Sequence, residues 1–137
     1  MRRFGMLMCV SALFFLGVRA ARGLQVVTTT TDLAALTRAV GGEYVDVYAI
    51  AKGAQDPHYV AAKPSYIRKV NRADLLVYTG LELEVGWLPL LIEGARNRAL
   101  TPGAAGLLDA STAAEKLEVP HSEVDRSQGD VHPEGNP

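Results

Sequence analysis

Between Leu24 and Ala95, short runs of strand-forming residues alternate with stretches of helical spacing, and this alternation limits the fold more than any other feature of the chain. Leu24-Gln25-Val26-Val27-Thr28-Thr29 is rich in β-branched residues and follows Gly23, which predicts a strand. Asp32 is placed to cap a helix in which Leu33, Leu36 and Val40 keep helical spacing, and Gly41-Gly42 ends it. Tyr44 to Ile50 predicts a second strand with Val45, Val47 and Ala49 on one face. After a loop, Pro64 suits a first helical position, and Ile67 and Val70 are spaced to pack inward. Asp74 to Thr79, "DLLVYT", predicts a third strand that Gly80 breaks. Leu88, Leu91, Ile92 and Ala95 then fall at i, i+3, i+4 and i+7 of a helix starting near Trp87 or Pro89, and Gly106 to Asp109 predicts a short fourth strand. Such an order produces right-handed βαβ units, so the expected class is α/β: a parallel sheet of about four strands with helices on both faces.

The ends of the chain have a different character. Arg2 and Arg3 precede an apolar run from Phe4 to Val18, followed by Val18-Arg19-Ala20, the pattern of a secretory signal peptide cleaved after Ala20. A membrane anchor is the competing reading, but the run is shorter than the ~20 apolar residues that span hydrocarbon. Residues 1–20 are therefore expected to direct export to the periplasm or another extracytoplasmic space. Cys9, the one cysteine in 137 residues, lies inside the apolar run, so the exported part offers no thiolate for a disulfide, a metal or nucleophilic catalysis. Cleavage also removes Arg2, Arg3 and Arg19 from the fourteen basic residues, against fifteen acidic ones, and this balance disfavours a nucleic-acid partner. From Val119 onward, "VPHSEVDRSQGDVHPEGNP" has few large apolar residues and several prolines, so no packed element is expected there.

Few residues in this pattern point to chemistry. His58 follows the predicted carboxyl end of the second strand, where open parallel sheets place ligands. Pro57 restricts its own φ and that of Asp56, so the loop presents His58 with reduced freedom, which suits a metal ligand. The alternative is an exposed loop histidine that binds nothing. His121 and His132 stand among Glu123, Asp125, Asp130 and Glu134, a patch that reads either as weak cation binding or as a solvated acidic tail. No serine stands in a GxSxG elbow, no phosphate-binding glycine motif follows the first strand, and no HExxH occurs. Ser65 reads as a helix cap, Glu82 and Glu84 as negative charge near a helix amino end, and Trp87 as an anchor of helix to sheet.

In order, "DPHYVAAKPSYIRKVNRADLLVYTGLELEVGWLPLLIEGA" resembles the metal-binding substrate-binding proteins of bacterial zinc and manganese ABC transporters. The matching motifs are Asp56-Pro57-His58, Pro64-Ser65, Ala73-Asp74-Leu75, Gly80 to Glu84, and Trp87; Tyr66 departs from the aspartate many members carry. The resemblance implies a two-lobed metal receptor with residues 24–118 as its amino-terminal α/β lobe and 119–137 as an acidic, histidine-bearing loop cut off before a linker helix and second lobe. It makes His58 the first of four metal ligands. The second would follow Gly135-Asn136-Pro137 directly, and His132 is a weaker stand-in. Implied with these are Zn²⁺ or Mn²⁺ as transported ligand and not as catalytic cofactor, an ABC permease in the membrane as partner, a monomeric state and no enzymatic activity. A small secreted metal-dependent hydrolase and a surface adhesin of the same family are the alternatives.

Overall fold

β-Branched and aliphatic residues build β1 (Leu24–Thr28), β2 (Val45–Ala49), β3 (Leu75–Tyr78) and β4 (Leu107–Asp109). In the computed structural model, which describes residues 22–117 together with 119 and 135, they form one parallel sheet in the order β2-β1-β3-β4. Between them run α1 (Thr31–Gly41), α2 (Pro64–Asn71) and α3 (Leu88–Ala95). The expected α/β class and parallel sheet are what the chain adopts. Residues 1–20, expected to be a signal peptide and containing Cys9, and the histidines His121 and His132 lie outside the described residues. Among the described residues no helix is long and apolar enough to cross a membrane.

Register decides which side chains share a face. Val27, Tyr48, Leu76 and Leu107 are paired across the sheet and point to one side, where Val70 of α2 and Leu88, Leu91 and Ala95 of α3 meet them. Ile50, Val60, Trp87 and Leu100 complete this core. Leu76, Leu91 and Leu100 are fully buried, and each such side chain stabilises the fold by roughly 1.5–3 kcal/mol through the surface it removes from water. Val26, Val47 and Leu75 point to the opposite side, where right-handed crossover places α1.

Three local expectations are corrected. Thr30, not Asp32, caps α1, its hydroxyl accepting from the Leu33 N–H; Asp32 falls in the first turn. Leu36 and Val40 are exposed, Val40 at 91%, and Ala34 is the buried residue of α1. Among the described residues α1 packs mainly on β2 and β1, so it rests on a narrow strip and its flanks are exposed. Ser65 does not cap α2: Lys63 holds that position without a side-chain bond, and Pro64 starts the helix, so Ser65 is already inside the first turn. At the amino end of the sheet, Asp74 bolts β3 to β1, its own N–H donating to the Gln25 carbonyl while its carboxylate accepts the Gln25 N–H, both at 2.8 Å.

Candidate functional site

β1 hands the chain toward β2 on one side, and β3 hands it toward β4 on the other. The carboxyl ends of β1 and β3 therefore flank the crevice where sheets of this topology bind ligands. Here that crevice holds Glu84. Only 2% exposed, its Oε1 accepts from the Thr29 hydroxyl at 2.6 Å and the Thr79 N–H at 2.8 Å, and Oε2 accepts from the Gly80 N–H at 3.2 Å. Among the described residues no buried side-chain N or O atom lacks a hydrogen-bond partner. The reading of Glu84 as helix-end charge is thus corrected. Its donors stand just beyond the carboxyl ends of β1 and β3, and the Thr29 partner is 55 residues away in the chain.

The segment carrying Glu84 is tightly shaped. Gly80, Leu81 and Glu82 have φ of 88°, 50° and 63°, a left-handed run that costs energy at the two non-glycine positions. Leu81 offsets part of that cost by burying its side chain, and Gly80 is required for a further reason: a Cβ there would run into the Asp109 carboxyl and the Ser111 hydroxyl. The chain then reaches Trp87, whose buried indole donates from Nε1 to the Pro57 carbonyl at 2.8 Å. Trp87 does anchor α3 to the core, as expected, and it also grips the neighbouring loop.

That loop begins where β2 ends. Ile50 and Ala51 extend the pairing with β1, their N–H groups donating to the Thr28 and Thr29 carbonyls at 2.9 Å. Asp56 then turns back on the residue two ahead: its Oδ1 accepts from the His58 N–H at 2.9 Å and lies 2.8 Å from His58 Nδ1. The His58 backbone N–H, and after it the His58 ring, hold the Asp56 carboxyl below its ordinary value. An acceptor at Nδ1 calls for a proton there, which makes Nε2 the lone-pair nitrogen of the ring. Carboxylate, imidazole and metal in that order is a recurring way to fix the orientation of a ligating histidine. The His58 side chain is about a quarter exposed (25%), so the pair stands at the protein surface above the sheet.

Among the described residues no group of three or more histidine, cysteine, aspartate or glutamate side chains is gathered closely enough to hold a metal ion. A groove of about 770 Å³ lies beside the Glu84 segment, between α3 and β4, with Leu81, Leu88, Ile92, Leu107, Tyr78 and Asp109 in its lining. Burial, and then the Asp109 and Glu84 carboxyl groups, push the Tyr78 phenol above its ordinary value. His58 does not line this groove, whose largely apolar walls also carry Glu82, Glu84, Glu93 and Asp109.

A family model described as zinc-uptake complex component A, periplasmic, matches residues 26–137. A manganese ABC transporter substrate-binding lipoprotein of Streptococcus anginosus is 35% identical over 77 residues, 54% of this chain and 25% of the relative. A metal ABC transporter substrate-binding lipoprotein of Streptococcus cristatus is 27% identical over 118 residues, 80% of this chain and 38% of the relative. The chain thus spans well under half the length of these relatives. Among solved structures, a metal-dependent lipoprotein of Bacillus subtilis superposes with a TM-score of 0.54 at 26% identity, over 69% of this chain and 34% of that one. The periplasmic zinc binding protein of Treponema pallidum gives a TM-score of 0.58 at 23% identity, over 74% and 35%, a likeness of fold.

Proposed function

The chain belongs to the family of the periplasmic zinc-uptake component A, and on that premise we propose that it is an extracytoplasmic solute-binding protein that captures Zn²⁺ or Mn²⁺ as cargo for an ABC permease. The observation that carries this reading is the Asp56–His58 pair beyond β2. With Asp56 on Nδ1, the imidazole meets an incoming cation through Nε2 at a set angle. One imidazole holds a divalent ion poorly, so tight capture needs further ligands from outside the described residues. In this reading residues 24–118 are the amino-terminal lobe of a two-lobed receptor, and 119–137, with His132 as a weaker candidate ligand, lead toward the rest. Closure of the lobes around the ion is the capturing step.

The relatives' names support both metals: the Streptococcus anginosus lipoprotein is named for manganese and the Treponema pallidum protein for zinc. Imidazole favours zinc and carboxylate oxygen suits manganese, so the choice rests with ligands beyond His58. Residues 1–20 serve export, and the protein acts as a monomer. The family is one of solute-binding proteins, so neither hydrolysis nor another covalent step belongs to the reading. Titration of the full chain with Zn²⁺ and, separately, Mn²⁺ tests it. His58→Ala is expected to weaken binding of the cognate ion by at least about tenfold. Equal affinities for wild type and variant would remove His58 from the site.

A further inference from the structure

We propose that Trp87 is a positioning residue for His58, holding the histidine's own peptide plane against the core. The inference rests on the reading of His58 as a metal ligand and adds what keeps that ligand aimed. The Pro57–His58 peptide unit is engaged at both of its polar atoms. Its N–H donates to Asp56 Oδ1 at 2.9 Å, and its carbonyl oxygen, on Pro57, accepts from the Trp87 indole at 2.8 Å. A peptide held by its oxygen and its nitrogen cannot rotate about the chain axis, and that rotation is the motion that would swing the His58 Cα–Cβ bond.

The two grips differ in what they are fastened to. Asp56 is exposed and belongs to the same loop, so its bonds travel with the loop. Trp87 is 2% exposed, packs in the main core, and reaches across 30 residues of sequence to Pro57. It is itself well fixed: its N–H donates to the Glu84 carbonyl at 3.1 Å, and the Glu84 side chain is bonded to the ends of β1 and β3. The direction of His58 is thereby referred, through Trp87 and Glu84, to the centre of the sheet.

Two variants of the full chain test this. Trp87→Phe keeps an aromatic ring in the core and removes the N–H donor; replacing the indole by benzothiophene does the same with the bicyclic shape retained, which guards against loss of folding. In Zn²⁺ titrations each is expected to weaken binding about three- to tenfold, the weight of one hydrogen bond, and to cause no further loss on a His58→Ala background. A purely structural role for Trp87 would give the same change on both backgrounds, or none on either. A second measurement needs no metal: with labelled histidine, the ring signal of His58 is a single sharp resonance in wild type and broadens or splits in both variants. A His58 ring signal that stays sharp and unshifted in the variants overturns the proposal. If His58→Ala binds Zn²⁺ as wild type does, the ligand reading falls, and the ring signal alone then decides whether Trp87 positions His58.

Discussion

The segments that leave β2 and β3 start from the same end of one sheet and do opposite things with their carboxyl groups. After β3, Glu84 is buried and its bonds tie strand ends together across the crevice. After β2, Asp56 is exposed, and among the described residues its bonds go to the histidine two residues on. One carboxyl group closes the place where a ligand would be expected from topology; the other aims a side chain beside it. The difference teaches that a switch point locates the neighbourhood of a site without naming the loop that holds it. Here one loop supplies the frame, and the exposed loop supplies the histidine proposed to meet the metal ion.

This division of labour can be broken by substitution, and the largest effect is expected in the frame. Glu84→Leu leaves two backbone N–H groups and a threonine hydroxyl without an acceptor, and should destabilise the lobe by on the order of 3–5 kcal/mol in chemical denaturation. Gly80→Ala forces a Cβ into Asp109 and Ser111 at a left-handed backbone position, with an expected loss of roughly 2–3 kcal/mol. His58→Ala should shift stability by no more than about 0.5 kcal/mol while weakening metal binding, and a large drop in melting temperature would erase the contrast between the loops. Asp56→Asn should preserve the fold and lower metal affinity by about tenfold, as for other partners of ligating histidines; unchanged affinity would mean that the Asp56 contact does not orient the ring.

The smallest effect is a pH dependence at the opposite end of the sheet. The Gln25 N–H, and to a lesser extent Arg22, hold the Asp74 carboxyl below its ordinary value of 3.8, with burial opposing them. The folded form therefore binds that proton less readily than the unfolded chain does. The stabilisation is present above pH 3.8 and is lost as pH falls through the lower folded value. Asp74→Asn should flatten that part of the acid-unfolding curve. An unaltered curve would show that an exposed carboxylate bonded to backbone contributes nothing measurable, in contrast to the buried Glu84.

The strands and helices were legible because their signals are local: β-branched runs, glycine stops, Pro64 at a helix start, and apolar residues at helical spacing all act within a few residues. The cap of α1 was less so, since Thr30 and Asp32 are both good capping residues and only the path of the chain selects between them. The exposure of Leu36 and Val40 depends on how many helices share a face, which no periodicity contains. His58 could be singled out from its proline and its place after a strand. Glu84 and the second role of Trp87 could not, because their partners at Thr29 and Pro57 lie 55 and 30 residues away. Hydrogen bonds of that reach leave no mark in the neighbouring sequence.

Glu84 has one more consequence. In many sheets of this winding, backbone N–H groups beyond a strand end hold the phosphate of a nucleotide. Here the N–H groups of Thr79 and Gly80 are spent on a side chain of the same molecule, which stands where such an anion would sit. The lobe carries its own imitation of a bound oxyanion. Shortening that side chain to alanine would unmask the donors, and acetate or formate would be the natural reagents to refill the gap and restore the fold.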